Sequence, residues 1–99
     1  MLKLGHIVYA NCLPVHAGIL DGSVASPFTV VPGIPTALNQ ALFEGRVDVS
    51  PSSSIEYAVQ KGKYLLLPDL SITSRRKAMS ILLESRVPME ELDGRTVAL

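Results

Sequence analysis

The stretch GRVDVSPSSSIEYA, residues 45–58, decides how the rest of this chain is arranged. Its two β-branched valines follow a glycine turn and predict a short strand. Pro51 has no N–H group to donate, so we expect it to end the hydrogen-bonded ladder. A helix is predicted to start immediately afterwards, because Ser53 and Glu56 have the spacing of a capping box.

Three consecutive serines, Ser52, Ser53 and Ser54, occupy the point where this strand turns into the helix. The N–H groups at a helix start lack partners and carry partial positive charge, so such a corner suits a carboxylate or a phosphate. One serine is enough to cap the helix. The local pattern therefore leaves two interpretations open, a cap alone or a cap with a ligand role for its neighbours.

Composition limits the class of protein. The chain has 99 residues, is 47% apolar and carries no net charge, which indicates one small globular domain. Without a basic stripe or an aromatic platform, we expect no nucleic-acid partner. Polar residues and prolines interrupt the apolar residues at the N-terminus, so this segment is predicted to be neither a secretory leader nor a membrane span. We expect a cytoplasmic protein with no membrane partner.

Charge is distributed unevenly. Between Met1 and Phe43 only Lys3 and Asp21 are formally charged. This half is therefore predicted to be mostly buried, in its own core or against another surface.

The first strand is predicted near residues 5–9 and the first helix from about Leu13 to Leu20, before an Asp-Gly pair. Asn11 lies between them. Its amide offers both donors and acceptors for orienting a polar ligand, but an asparagine there can equally cap the helix.

Cys12 is the only cysteine, which excludes an internal disulfide and fits a reducing compartment. With His16 one turn later, the thiol has a possible partner as a nucleophile, although a small buried thiol is the commoner case. His6 and His16 have no cluster of acidic or cysteine residues around them in the sequence. We therefore expect no metal site.

A second strand is predicted at residues 28–31, followed by a helix that ends at Gly45. The start of this helix is ambiguous. If Pro35 is its first residue, Ile34 is a poor cap and the first N–H groups need water or a ligand. If Thr36 is the cap, they are satisfied internally.

Three strand-to-helix corners thus recur, at Asn11, at residues 33–36 and at residues 50–54. Parallel strands joined by helices bring such corners to one edge of the sheet, where α/β proteins bind ligands. The fold class is predicted to be α/β. Beyond these corners we expect a longer strand at residues 78–83, a short helix at 87–94 and a strand at 95–99.

Five segments resemble the chorismate dehydratase (MqnA) family of the futalosine route to menaquinone in order and spacing: residues 5–14, 31–39, 47–58, 66–72 and 91–99. The resemblance implies a type II periplasmic-binding-protein-like fold, in which two three-layer α/β/α lobes close on a ligand. It implies that residues 1–86 form the first lobe with the crossover strand and that residues 87–99 begin the second. Members of the family are longer, so the chain is expected to be a fragment.

The resemblance also implies the reaction, which is loss of water from chorismate to give 3-[(1-carboxyvinyl)oxy]benzoate without a metal or other cofactor. It places Asn11 as the catalytic residue and Thr36, Ser52, Ser53 and Ser54 at the substrate. These corners contain no acid or base, so a substrate carboxylate is the expected base, with Asn11 orienting the ring.

Two alternatives stay open: a non-catalytic lobe of the same fold that binds a small carboxylate, and a truncated product with neither function. In every case we expect self-association through the apolar C-terminal strand, whose edge would be unpaired.

Overall fold

Two strands and three helices form within the first sixty residues of the chain. In order they are β1 (Lys3–Ile7), α1 (Leu13–Leu20), β2 (Thr29–Gly33), α2 (Pro35–Phe43) and α3 (Ser54–Val59). The computed structural model describes residues 1–79 and 82–98. Within that part the predicted α/β class is confirmed.

The strands are parallel, as predicted. β1 pairs with β2 so that Lys3 lies opposite Thr29 and Ile7 opposite Gly33. On its other side β1 forms a parallel bridge to Val49, and the Gly5 N–H donates to the Val49 carbonyl at 2.7 Å. The predicted strand at residues 47–49 is thus reduced to a single bridge, because Pro51 follows at once and cannot extend the ladder.

The two helices α1 and α2 contact opposite faces of β1. Side chains alternate between the two faces along a strand, and His6 of β1 contacts His16 of α1, whereas a side chain at Gly5 would meet Leu38 of α2. This is the arrangement that right-handed crossovers give when successive strands add to opposite sides of the first. Ile7, Cys12 and Leu38 form a small buried cluster.

Gly5 lets the third segment approach the sheet. A Cβ atom added there would lie 2.8 Å from the Ser50 Cβ and 3.3 Å from a Leu38 methyl group, with the Ser50 hydroxyl closer still. Such close approach of backbone to a neighbouring side chain needs glycine.

Gly5→Ala is therefore expected to lower the free energy of unfolding by about 1–3 kcal/mol, the usual effect of overpacking. Urea denaturation followed by circular dichroism measures it. Adding Ser50→Gly removes the clashing side chain and is expected to restore part of the loss. Equal stability of Gly5→Ala and the parent chain would contradict this packing.

The described part of the C-terminal third has little regular structure. Residues 78, 79, 82 and 83 lie in no strand, and neither do residues 95–98, so the strands predicted there are wrong within the described residues. Ser80, Ile81 and Leu99 belonged to those predictions and lie outside the described residues. The predicted helix at 87–94 is a 3₁₀ turn, Met89–Glu91. Apolar runs form strands only where a partner strand accepts their hydrogen bonds.

The described chain is elongated as a result. Its radius of gyration is 16.9 Å, compared with about 13 Å for a compact domain of 100 residues.

The structure does not bury the weakly charged first half of the chain in a core of its own. Val8, Tyr9, Leu13 and Val24 are each more than half exposed. The core proper is small and comprises Leu4, Ile7, Cys12, Leu38, Ala41 and Val47. Contact of the exposed apolar residues with another surface stays a prediction.

Across residues 1–79 and 82–98, the chain forms no helix with the length and apolarity that a bilayer crossing needs.

Candidate functional site

The three strand-to-helix corners lie at the same edge of the sheet. β1, β2 and the Val49 segment are parallel, so the chain leaves each of them at the carboxyl edge. Asn11, Thr36 and the serines at 52–54 follow these three exits in turn. The predicted common edge is therefore confirmed, while the role of these residues in binding stays a prediction.

Asn11 is exposed and does not cap a helix. It lies in a 3₁₀ turn, Ala10–Cys12, that follows β1. The N-cap residue of α1 is Cys12, and the first turn receives no side-chain hydrogen bond. The capping interpretation is thus wrong for Asn11, and its amide faces solvent at the edge of the sheet.

The start of α2 follows the first of its two predicted alternatives. Pro35 is the first helical residue, Ile34 is the N-cap, and no side chain caps the helix. Thr36 is exposed in the first turn. Since the Leu38 N–H already bonds the Ile34 carbonyl at 3.0 Å, the backbone donors left in the first turn are those of Thr36 and Ala37.

Ser53 caps α3, as the sequence predicts. Its side chain accepts a hydrogen bond from the Glu56 N–H at 3.4 Å. The return half of the capping box is absent from the described hydrogen bonds, because the Glu56 carboxylate accepts from the Tyr64 hydroxyl at 2.9 Å instead. Burial and that bond to Glu56 together raise the pKa of Tyr64, which keeps its proton on the oxygen.

Asn39 is a polar residue of the corner that sequence analysis did not identify as a site residue. Its Oδ1 accepts from the Ser52 hydroxyl at 3.0 Å, and its Nδ2 donates to Ser53 Oγ at 3.3 Å. Asn39 comes three positions after Thr36, so the two share one side of α2. That spacing was the available signal, but only the fold reveals that the serines lie opposite it.

Cys12 is a buried thiol, which disfavours its interpretation as a nucleophile. Its side chain is 1% exposed, and burial raises the pKa of the Cys12 thiol, which disfavours the reactive thiolate. His16 bonds His6 rather than Cys12. Within residues 1–79 and 82–98, no group of three or more His, Cys, Asp or Glu side chains has the geometry to hold a metal ion.

His6 and His16 form a hydrogen-bonded pair between β1 and α1. Their Nδ1 atoms are 3.0 Å apart, and the His16 side chain is only 6% exposed. One Nδ1 must carry the hydrogen while the other accepts it, so at least one ring is neutral. Burial, with a smaller contribution from His6, lowers the pKa of His16.

Acidification is therefore expected to destabilise the fold through His16. Because the folded state binds its proton less readily than the unfolded state, the stabilisation is complete above the ordinary histidine range and is lost as the pH falls through it. Urea midpoints at about pH 7.5 and about pH 5.5 measure the effect. In His16→Gln the difference between the two midpoints should shrink, and an unchanged difference would contradict the assignment.

A concavity elsewhere in the chain does not involve these residues. It measures about 260 Å³ and lies between residues 83–85 and the stretch 92–98. Its walls come from segments without regular structure, and its lining includes none of the corner residues. The convergent polar groups lie at the edge of the sheet, which is the better candidate site.

Comparisons with known proteins identify the family of this chain. A family model described as menaquinone biosynthesis matches residues 2–99. The chorismate dehydratase of Campylobacter jejuni subsp. jejuni serotype O:23/36 (strain 81-176) is 36% identical over 84 residues, which are 81% of this chain and 36% of the relative. The chain thus spans just over a third of that relative's length. No solved structure shows significant similarity to this chain.

Proposed function

The chain belongs to the menaquinone biosynthesis family, and from that premise we propose that its corner residues bind and dehydrate chorismate as part of a carbon–oxygen lyase. The observation that carries the proposal is the meeting of three strand-to-helix corners at one sheet edge in a chain similar to a chorismate dehydratase. We further propose that the enzyme has a two-lobed, periplasmic-binding-protein-like fold and that it acts in the cytoplasm.

Chorismate suits such an edge because it carries two carboxylates. Hydroxyl groups and backbone N–H groups bind carboxylates by charge-assisted hydrogen bonds. The hydroxyl groups of Ser52, Ser53 and Ser54 lie at this edge, and the first turn of α2 supplies the N–H groups of Thr36 and Ala37. The edge thus offers hydrogen-bond donors to a ligand whose carboxylates are acceptors.

The proposed reaction removes the ring hydroxyl of chorismate and a hydrogen from the neighbouring ring carbon as water, which leaves an aromatic ring. Aromatisation makes this step downhill, so orientation and a proton acceptor matter more than a strong electrophile. The three corners contain no Asp, Glu or His, and we propose a substrate carboxylate as the base. Asn11 then orients the ring through its exposed amide.

The same lack of an acid or base favours a second candidate, a lobe that binds a small carboxylate without turning it over. For both candidates we propose self-association, because the C-terminal stretch exposes apolar side chains that a second chain can contact. Val97, for example, is 62% exposed.

A chimaera tests these candidates. Residues 1–99 replace the matching part of the Campylobacter chorismate dehydratase, and turnover of chorismate is followed by absorbance of the aromatic product. Turnover supports the lyase. A folded chimaera that binds chorismate without converting it supports the second candidate, and one that does not bind it contradicts both.

A further inference from the structure

The side chain of Asn39 links α2 to Ser52 and Ser53 and treats the two serines differently. Its carbonyl oxygen Oδ1 accepts a hydrogen bond from the Ser52 hydroxyl. Its Nδ2 group donates a hydrogen bond to Ser53 Oγ. One amide therefore uses the proton of one serine and a lone pair of the next.

Ser53 is left with a proton to donate. A hydroxyl group has two lone pairs and one hydrogen. Ser53 Oγ accepts from Asn39 Nδ2 at 3.3 Å and from the Glu56 N–H at 3.4 Å, which occupies both lone pairs. The side chain is exposed, so its remaining hydrogen is available to an acceptor at the edge of the sheet.

The Ser52 hydroxyl, in contrast, has no proton left to donate to a ligand. Its hydrogen is directed to Asn39 Oδ1 at 3.0 Å, which leaves only lone pairs for a ligand. An ionised carboxylate has acceptors and no donor. Ser52 in this state offers such a ligand no hydrogen bond.

We propose that Asn39 is a positioning residue that makes Ser53 the hydroxyl donor to a substrate carboxylate and turns the proton of Ser52 away from it. The inference rests on the proposed function, because it assumes that chorismate binds at this edge. It goes further by assigning the two serines different roles. A reversed Asn39 amide would exchange those roles, so the assignment is testable.

The test is a titration of the ¹⁵N-labelled 99-residue chain with chorismate, followed by chemical shifts. Ser53→Gly removes the hydroxyl while keeping a residue that helix starts tolerate nearly as well as serine. We expect it to raise the Kd about three- to tenfold, the effect of one solvated hydrogen bond, and by clearly more than Ser52→Ala. Gln40→Ala is the matched control, because it removes an exposed amide of α2 that bonds Glu44 instead; its Kd should equal that of the parent.

Asn39→Ala should weaken binding in the parent chain but have no further effect in Ser53→Gly, because Asn39 acts through Ser53. A purely structural role would add its effect in both backgrounds. In the ligand-free chain, Ser53→Gly should also speed hydrogen exchange of the Asn39 side-chain amide more than Ser52→Ala does.

The outcomes separate the inference from its premise. Chorismate shifts that survive Ser53→Gly but weaken in Ser52→Ala overturn the assignment of the serines and leave the proposed function standing. So does additivity of Asn39→Ala and Ser53→Gly. A parent chain whose resonances do not respond to chorismate overturns the inference, whereas a folded chimaera that does not bind chorismate overturns the proposed function as well.

Discussion

Replacing Asn11 by alanine in the chimaera is expected to lower chorismate turnover by about one to three powers of ten, the scale of a lost orienting or electrostatic hydrogen bond. A role as a helix cap is already excluded for this side chain, because Asn11 caps neither the 3₁₀ turn nor α1. A large loss would therefore report an effect on the substrate rather than on the helix. The initial rate of product formation at saturating chorismate measures it.

Two comparisons make that result specific. Gln40→Ala removes another exposed amide and should leave turnover unchanged. Circular dichroism of Asn11→Ala should match the parent, because no helix-capping bond is lost. Turnover within twofold of the parent would show that Asn11 has no part in the reaction.

The second large effect concerns the 99-residue chain by itself, which is expected to show no measurable dehydration of chorismate. Asn11, Thr36 and the serines are all exposed, and a hydrogen bond that competes with water contributes little net free energy. Two-lobed sites gain rate by closing over the ligand and excluding water. Weak binding without turnover is the expected behaviour.

The chimaera is the control for this assay, since it presents the same corners opposite a second lobe. Turnover by the isolated chain comparable to that of the chimaera would contradict the prediction. If the rate rose with the square of chain concentration, a second copy would be providing the opposing surface.

The first sixty residues were predictable because their signals are local. Pro14 in the first turn and Asp21-Gly22 after the last bounded α1, which begins and ends where the sequence indicated. Ser53 likewise marked the start of α3. The strands at the C-terminal end were not predictable in the same way. The runs at 78–83 and 95–99 are apolar, but a strand also needs a partner, and that partner is not encoded in the run itself.

For the site, too, local signals were sufficient for some residues and insufficient for others. Position at the carboxyl edge followed from alternating strand and helix signals, which fixed Asn11, Thr36 and the serines there. Asn39 was missed because its importance lies in a contact with residues 13 and 14 positions further along the chain. Such a contact depends on where α2 lies against the chain that follows Val49, which no local pattern specifies.

The central position of β1 also affects how the chain folds as it is synthesised. β1 is synthesised before the segments it pairs with, yet the Lys3 N–H bonds the Asp48 carboxylate, 45 positions later. Closing a loop of that length costs chain entropy before any contact compensates for it, and such non-local pairing slows folding. The sheet is therefore complete only after a ribosome has passed Val49, and until then the edge of β1 that pairs with Val49 has no partner.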